Sequence, residues 1–465
     1  MHVLTRTDIR EEPARRRAVP ALGFGIVALA GASLVLPSAI SYDPWAWLVW
    51  GREVLRLDLD TTGGPSWKPL PVVGTSVLAL FGGFAPTLWL VVARAGGLLL
   101  VAGTFRLAAR FAGAAAGLVA VAVLVLAPDP EPRFLRTVVE GHVAPMAAAC
   151  AVWAVDRHLE GRCRQALLLG AALALMRPES WPLLGAYAAW LWRREPATRP
   201  VAVATAVAVP VLWLGGDWWG SGDPLHGAAS AQVGVGAALE RLGDGLGTVG
   251  AMVTGPAWVA AGLTVAAAWQ RRRHPLLALA AGAALWCLLV VGMAFALGYA
   301  ALSRFLLPAV AVVAALAGVG VAELLADQRA RTRWLLPAVA GLAAVPFLVP
   351  RVLGLADVAD EVVSRGRHQD DLPAAIEHAG GRDRVVACGD VAVEGSSLLR
   401  PAVAWHLDVP LHRLTTTPTE GPAVALVLSG GREDRRLADG PQAGLELLGR
   451  SDRWAVYAVG CPGEP

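Results

Sequence analysis

The chain has 465 residues, of which 55% are hydrophobic and only 17% are charged. This composition and a mean hydropathy of +0.53 lie outside the usual range of soluble globular proteins. The formal net charge of +3 says little about partners, and we predict no nucleic-acid partner. The sequence therefore predicts an integral membrane protein whose first partner is the lipid bilayer.

The first apolar run begins after a basic tail. Residues 1–17 end in three consecutive arginines, and Ala18–Ile40 has no ionisable residue. As a helix this run is about 34 Å long, enough to cross a hydrocarbon layer of roughly 30 Å. It is too long for a signal-peptide core, and no convincing small-residue cleavage site follows, so we expect a retained membrane helix. By the positive-inside rule the N-terminus is cytoplasmic, and the next loop is outside.

A polar loop at residues 41–68 separates the first apolar run from the second. It contains three Asp, one Glu, two Arg, one Lys and four Trp. Ionisable groups held at the edge of hydrocarbon are costly, so they are candidates for function. On a helix, Trp47 and Trp50 share an apolar face, while Arg52 and Glu53 lie on the other face. This pattern predicts a helix that lies in the plane of the membrane interface.

Further apolar runs predict the rest of the membrane domain. They lie at residues 69–84, 86–105, 112–127, 143–155, 165–176, 180–192, 200–215, 249–269, 275–298, 304–325 and 334–350. Arginine clusters in alternate connections are typical of cytoplasmic loops and place the remaining loops outside. This pattern requires an odd number of crossings between Lys68 and Arg106. We therefore expect residues 18–350 to form an all-α polytopic membrane bundle of about eleven transmembrane helices.

The composition changes in the last part of the chain, residues 355–465, where charged residues become frequent. Short β-like runs lie at residues 384–388, 423–429 and 454–459. We expect a small extracytoplasmic α/β domain. Its two cysteines, Cys388 and Cys461, can pair in an oxidising compartment, although the sequence does not show that they do. No C-x-x-C spacing occurs in the chain, so no metal framework is indicated.

Ionisable residues gather close to helix ends in the outward loops. Asp43 follows the first span, Lys68 opens the second run, Arg177 interrupts an apolar stretch and Arg304 begins a late span. These positions predict a cavity at the outer leaflet that holds a phosphate-bearing lipid. The cations would bind the phosphate, because a guanidinium group can contact two oxygens at once. Asp43, which precedes the restricting Pro44, is the candidate general base for an acceptor hydroxyl.

These residues also have structural interpretations. Asp43 can cap the interfacial helix, and Lys68 can extend to the lipid head groups. Four further residues are candidates for supporting the site or binding the acceptor: Glu140, His142, Glu179 and Trp67. The first two can simply end a loop, and Glu179 can form an internal ion pair with Arg177. The tryptophan can belong to an aromatic belt at the membrane surface.

Five short motifs follow one another along the chain in a definite order. They are Ser41–Pro44, Trp67–Pro71, Leu80–Gly82 with Arg94, Leu175–Pro182 and Ser303–Pro308. This order resembles the polytopic GT-C glycosyltransferases, which include protein O-mannosyltransferases, the lipid A aminoarabinose transferase and actinobacterial arabinofuranosyl- and mannosyltransferases. The resemblance implies sugar transfer from a polyprenyl-phosphate donor on the outer face, with inversion at the anomeric carbon. It implies that Asp43 is the first-loop catalytic acid, that Lys68 lies near the donor phosphate, and that Glu140 occupies the place of a second-loop acid.

Many members of this superfamily carry an acidic pair in the first loop, whereas Pro44 follows Asp43 here, so the need for a divalent metal stays open. We expect a glycosyltransferase of the plasma membrane that modifies an envelope glycan, lipid or protein. The alternatives are a transporter or flippase of a lipid-linked or anionic substrate, and a noncatalytic assembly factor. A transferase needs Asp43, Lys68 and Arg304 around one lateral, lipid-accessible cavity. A transporter needs a central path that reaches both sides.

Overall fold

The computed structural model describes residues 22–127, 134–232, 236–326, 335–394, 396–416, 422–439 and 445–461. The predicted basic tail, residues 1–17, lies outside the described residues. The first helices are α1 (Leu22–Val35), α2 (Tyr42–Arg56), α3 (Pro69–Ala79), α4 (Ala85–Val125), α5 (Phe134–Val139), α6 (Ala144–Leu159) and α7 (Cys163–Ala174). They are followed by α8 (Trp181–Arg194), α9 (Arg199–Ser221), α10 (His226–Ser230), α11 (Ala238–Ala251), α12 (Gly255–Gln270), α13 (His274–Leu297) and α14 (Leu307–Ala326).

The C-terminal region combines helices with one sheet. Its helices are α15 (Leu335–Asp370), α16 (Leu372–His378), α17 (Arg382–Ala387), α18 (Arg400–Leu407) and α19 (Arg432–Asp439). Its strands are β1 (Asp390–Glu394), β2 (Leu414–Thr415), β3 (Ala423–Leu428), β4 (Leu445–Arg450) and β5 (Trp454–Val459). The strand order is β2-β1-β3-β5-β4. Strand β1 pairs in parallel with β2 and β3, and β5 pairs antiparallel with β3 and β4.

Four helical segments within the described residues are long and apolar enough to cross a bilayer. They are Gly82–Val125, Pro196–Ser221, His274–Leu297 and Ser303–Ala326. The number is five if α11 and α12, which are bent by 83° at their break, form one span. The expected number of about eleven is not shown, because several predicted runs fold as shorter helices than the roughly 20 residues that a span requires. Helices α3, α6, α7 and α8 have 11, 16, 12 and 14 residues.

Helix α14 packs inside the bundle, and 83% of its most apolar 18-residue stretch is buried. Small residues let its neighbours approach closely. A Cβ atom at Gly318 would lie 2.2 Å from the carbonyl oxygen of Ala116 in α4. One at Gly320 would lie 2.4 Å from the carbonyl oxygen of Ala260 in α12. Such close backbone packing associates helices in lipid, and the turn Ser303–Leu306 leads into α14.

Helix α4 contains two of the predicted apolar runs, joined by a sharp break. Ala112 and Gly113 have non-helical backbone angles, and Gly113 has φ +78°, a conformation that glycine adopts without strain. Beyond the break the chain folds back, so that Gly117 packs against Phe105. The first arm of α4 therefore ends at this break, and Arg106 lies near that end.

One long apolar helix separates Lys68 from Arg106. The predicted run 69–84 forms only α3, whose length is about 16 Å, followed by a short turn. Helix α3 packs on α2, where the Thr75 hydroxyl donates a hydrogen bond of 2.6 Å to the carbonyl oxygen of Trp47. The first arm of α4 is then the single long apolar element between the two basic residues.

Helix α2 has the predicted two faces, but the C-terminal region covers part of its polar face. Arg52 and Glu53 are not exposed, whereas 53% of the Arg56 side chain is. Arg52 donates to the carbonyl oxygen of Trp405 at 3.0 Å and forms an ion pair with Asp408 at 2.8 Å. Arg56 binds the same carboxylate through both Nη atoms, at 2.9 and 3.0 Å. Glu53 is only 6% exposed, and burial raises its pKa to about 8.

Two of the three predicted strands are confirmed, as β3 and β5. The third prediction was wrong, because residues 384–388 overlap helix α17 and the strand β1 begins only at Asp390. A short apolar run does not by itself distinguish strand from helix. Cys388 and Cys461 form a disulfide with a Cα–Cα distance of 5.2 Å. Helix α15 runs without interruption across the predicted boundary near residue 355, so a continuous helix leads into the C-terminal region.

Candidate active site

Asp43 lies in the first turn of α2, with 17% of its side chain exposed. Ser41, in extended conformation, occupies the N-cap position, so Asp43 is not the cap that the structural interpretation required. An acidic residue in the first turn is favoured by the helix dipole, and Pro44 is tolerated there because its missing N–H would have no partner in the helix. The helix start therefore holds Asp43 at the surface of the buried tryptophan cluster of α2.

Two cations lie beside the Asp43 carboxylate. Lys68 occupies the N-cap of α3 with extended backbone angles, as expected before a proline. Its Nζ atom is 3.7 Å from Asp43 Oδ2, and Arg304 Nη2 is 3.8 Å from the same oxygen. Both distances exceed the length of a hydrogen bond. The cations therefore neutralise the carboxylate without occupying its lone pairs.

Aromatic rings hold the cations of the site. Arg177, in the break between α7 and α8, has its Cζ atom 4.2 Å from the ring centroid of Phe305. Arg304 Cζ is 5.5 Å from that centroid. Lys68 Nζ lies 4.9 Å from the ring centroid of Trp47. A ring attracts a cation through its negative face and accepts no conventional hydrogen bond, so the N–H groups stay available for an anionic ligand.

The electrostatics of the site favour an anion. Burial acts to raise the pKa of Asp43, but the charges of Lys68 and Arg304 outweigh this effect and bring the pKa below its ordinary value. Burial lowers the pKa of Lys68 to about 8, against the opposing charge of Asp43. Burial also lowers the pKa of Arg177 to about 10. At neutral pH the carboxylate is ionised and the cations around it are charged, which leaves an excess of positive charge.

Glu140 and His142 support the chain segment that precedes α2. The Glu140 carboxylate is 2% exposed, and its Oε1 accepts hydrogen bonds of 2.9 Å from both Arg136 and Arg365. Glu140 Oε2 is 3.3 Å from His142 Nε2. Burial lowers the pKa of His142, which favours the neutral ring. The other ring nitrogen, Nδ1, faces the Ser41 hydroxyl at 3.4 Å.

The remaining two candidates differ from each other. Glu179 is 7% exposed, and its Oε2 is buried without a hydrogen-bond partner among the described atoms. Trp67 is 6% exposed, and its Nε1 donates to the carbonyl oxygen of Leu212 at 3.1 Å. Its ring lies so close to Gly216 that a Cβ atom there would be 2.3 Å away. Trp67 thus packs against α9, and its predicted role toward the acceptor stays a prediction.

An apolar cavity of about 600 Å³ lies between α6, α7, α8, α13 and α14. Ser180 and Trp286 line one end, and His158 and His274 line the other. Along α13 these ends are about 18 Å apart. Trp286 donates a hydrogen bond of 2.8 Å to the carbonyl oxygen of Phe305, the residue whose ring holds the two arginines. The cavity thus reaches Trp286, which is hydrogen-bonded to the residue after Arg304, and its apolar walls are suitable for a hydrocarbon chain.

No three His, Cys, Asp or Glu side chains within the described ranges lie close enough to hold a metal ion. The sequence did not reveal three residues that shape the site: Phe305, Arg365 and Gln369. Phe305 lies inside a recognised motif, but its contact with two arginines is a tertiary property. Arg365 and Gln369 reach the loop 41–68 and its surroundings across 225 and 329 residues of chain, and no local pattern signals such contacts.

No protein-family model matches the chain, and no curated protein matches it in sequence. The structure is similar to that of ArnT from Cupriavidus metallidurans in the apo state, with a TM-score of 0.55 and 16% identity over 96% of this chain and 100% of that chain. ArnT bound to undecaprenyl phosphate gives a TM-score of 0.51 and 15% identity, with coverages of 96% and 99%. Both structures have the fold of GT-C membrane glycosyltransferases. This protein has the GT-C fold.

A second protein with the GT-C fold supports this result. It is the Archaeoglobus fulgidus oligosaccharyltransferase, in complex with Zn and sulfate, with a TM-score of 0.50 and 14% identity. The alignment covers 86% of this chain and 62% of that one. The GT-C resemblance drawn from the motifs is confirmed at the level of the fold, and the protein is a multi-pass membrane protein like ArnT. Such low identities show the fold alone, so the site must be argued from its own geometry.

Proposed function

We propose that this protein is an integral-membrane glycosyltransferase that transfers a sugar from a polyprenyl-phosphate donor to an acceptor hydroxyl. The acceptor belongs to an envelope glycan, lipid or protein on the outer face, and Asp43 is the general base. One observation carries the proposal. A loosely paired carboxylate lies beside Lys68 and Arg304, at 3.7 and 3.8 Å, and the residue after Arg304 is hydrogen-bonded to Trp286, which lines an apolar cavity. The GT-C fold and the undecaprenyl phosphate bound to ArnT support this donor class.

The donor would divide between the two parts of the site. Its phosphate binds at the cations, with Lys68 as a point charge and the guanidinium groups of Arg177 and Arg304 as bidentate donors. Its prenyl chain enters the apolar cavity and leaves water. The phosphate then competes with Asp43 for the cations, which weakens their effect on the carboxylate and makes it a stronger base in the donor complex.

The reaction is a single displacement. The acceptor hydroxyl gives its proton to Asp43 while its oxygen attacks the anomeric carbon, and a new carbon–oxygen bond forms. The bond from that carbon to the phosphate oxygen breaks, and polyprenyl phosphate leaves with the electron pair. The cations stabilise the charge that develops on the leaving phosphate. Attack from the side opposite the leaving group inverts the anomeric carbon.

The same proposal places Asp43 and the C-terminal region outside the cytoplasm. The disulfide between Cys388 and Cys461 supports this side, because disulfides persist in oxidising compartments. Arg106 and Arg110 lie at the end of the first arm of α4 that is remote from Asp43. Their positive charge supports a cytoplasmic location for that end. A reporter fused at Arg110 should be active only inside the cell, and an external signal would contradict this orientation.

The purified protein in lipid nanodiscs should transfer sugar from at least one member of a panel of polyprenyl-phosphate sugars. Asp43→Asn should reduce transfer by about 10²–10⁴-fold, the range for a lost general base, while binding of polyprenyl phosphate remains. Asp58→Asn is the matched control, because Asp58 is an exposed residue of the same loop. Full transfer by Asp43→Asn would refute the role of the base. Movement of a lipid-linked substrate across liposomes, without transfer from any donor, would instead support the transporter.

A further inference from the structure

We propose that Gln369, at the end of α15, is a positioning residue that holds the backbone ahead of α2 and thereby sets the place of Asp43 relative to Lys68 and Arg304. This inference rests on the proposed function, in which Asp43 is the base. It also gives the C-terminal region a role in the reaction, because α15 leads directly into it.

Gln369 makes two hydrogen bonds to a single residue, Ile40, three positions before Asp43. Its Oε1 accepts from the Ile40 N–H at 2.9 Å, and its Nε2 donates to the Ile40 carbonyl oxygen at 2.6 Å. The side chain is 9% exposed, and both bonds are buried. The side-chain amide thus pairs with the backbone as a neighbouring strand would. Two such bonds fix both the position and the orientation of Ile40.

The same helix holds the rest of this segment. A Cβ atom at Gly366 would lie 2.6 Å from the carbonyl oxygen of Ser38, so α15 touches the backbone there. The residue before Gly366, Arg365, binds the Glu140 carboxylate at 2.9 Å. The carbonyl oxygen of Glu140 accepts a hydrogen bond of 3.0 Å from the Ser41 N–H. Contacts from α15, direct or through Glu140, therefore reach residues 38, 40 and 41.

This segment needs an external support. Residues 37–41 belong to no helix or strand, so no regular hydrogen-bond pattern fixes the approach to α2. The ion pairs of Asp43 are too long to fix its position themselves. Buried backbone groups that lose their hydrogen-bond partner destabilise the folded state. The two bonds from Gln369 hold Ile40, and hydrogen bonds from Arg94 to Pro37 and Ser38 hold the residues before it.

The principal test is Gln369→Met, which keeps the size of the side chain and removes both hydrogen bonds. We expect kcat to fall by about 10²-fold, as for a displacement of roughly 1 Å in a site. The donor KM should stay within about twofold. The acid limb of the kcat/KM profile should move to higher pH, because Asp43 would lose part of the cations' influence. Gln369→Glu keeps an acceptor for the Ile40 N–H but places a second acceptor against the Ile40 carbonyl oxygen, so it should lose activity as Gln369→Met does.

Asp434→Asn is the matched control. Asp434 is also buried in the C-terminal region, where it binds Arg450 and Tyr457, but these contacts do not involve residues 38–41. This variant should be less stable while its kcat and its pH profile stay unchanged. An equal loss of kcat in both variants would show that general destabilisation of the C-terminal region explains the effect, and the positioning role would be refuted.

Amide hydrogen exchange separates this inference from the proposed function. In Gln369→Met, the Ile40 amide should exchange faster than in the wild type, whereas Asp434→Asn should leave it protected. Unchanged exchange in Gln369→Met overturns the proposal, and so does faster exchange with an unchanged kcat. If the wild type transfers no sugar, the proposed function fails, but the exchange rates still decide whether Gln369 holds this segment.

Discussion

Two clusters of charged side chains, near opposite ends of the first arm of α4, differ in how tightly their charges are paired. In the cluster around Asp156, which is fully buried, the carboxylate accepts from Arg106 Nε at 2.9 Å and from Arg110 Nη2 at 2.6 Å. In the cluster around Asp43, the nearest cationic nitrogens are 3.7 and 3.8 Å away. The Asp156 carboxylate thus accepts hydrogen bonds from the cations of its own cluster, whereas the cations beside Asp43 lie beyond hydrogen-bond distance.

This difference distinguishes a structural cluster from a binding site. Hydrogen-bonded ion pairs that saturate a buried carboxylate join helices and leave little for a ligand. Cations that rest on aromatic rings, beside a carboxylate beyond hydrogen-bond distance, have donors to offer. Both clusters look alike as runs of Arg and acidic residues, so charge composition does not separate them. The following predictions test the distinction.

The largest effect should come from removing the arginines of the loose cluster. Arg304→Gln and Arg177→Gln should each raise the donor KM by about 10–100-fold, because each removes charge-assisted hydrogen bonds to the phosphate. Steady-state kinetics across donor concentrations measures this. Arg106→Gln in the tight cluster is the control and should leave the donor KM unchanged. A similar rise in Arg106→Gln would place a binding role in the wrong cluster.

A substitution in the tight cluster around Asp156 should affect stability alone. Asp156→Asn leaves the guanidinium groups of Arg106 and Arg110 with a neutral partner, so thermal unfolding in detergent should occur several degrees lower, in line with a loss of about 3 kcal/mol when a buried ion pair is broken. Donor KM and the pH profile of the folded protein should not change. An altered donor KM at normal stability would contradict the structural role.

The pH profile should reveal the loose pairing of Asp43. As a base it acts in the ionised form, and the cations bring its pKa below the ordinary value in the free protein. A bound phosphate shares these cations, so the pKa should be higher in the donor complex. As the pH falls, kcat, which reports the complex, should decline before kcat/KM, which reports the free protein. Coincident acid limbs would mean that the phosphate does not share the cations of Asp43.

The smallest effect concerns Lys68. Burial lowers its pKa to about 8, so it loses its charge as the pH rises through that value, and the donor KM should rise there. Lys68→Arg should keep the charge and shift this alkaline rise to higher pH, with a modest change at neutral pH, since arginine differs in shape. Donor KM measured from pH 7 to about 9.5 decides the point. If the donor KM rises at the same alkaline pH in both proteins, the titration of another group causes the rise.

Much of the site was predictable because of the membrane. Asp43, Lys68, Arg177 and Arg304 each lie at a helix end, and the ends of membrane helices are restricted to two surfaces. Sorting loops by their arginines then places these four residues on one side, and the structure brings them together. The packing of Trp67 against Gly216 was not predictable in this way, because the direction of a side chain depends on its tertiary neighbours.

The sequence by itself determined that the chain is a membrane protein, that charged residues gather at its helix ends, and that its motifs resemble those of GT-C transferases. Hydropathy and short motifs are local properties, and they are read without knowledge of the fold. Only the tertiary structure decided which charges pair tightly and that α3 packs on α2. It also decided that Gln369 forms hydrogen bonds with Ile40, although 329 positions separate the two residues in the sequence. Those features depend on distances between segments that are remote in the chain, and such distances arise only when the helices pack.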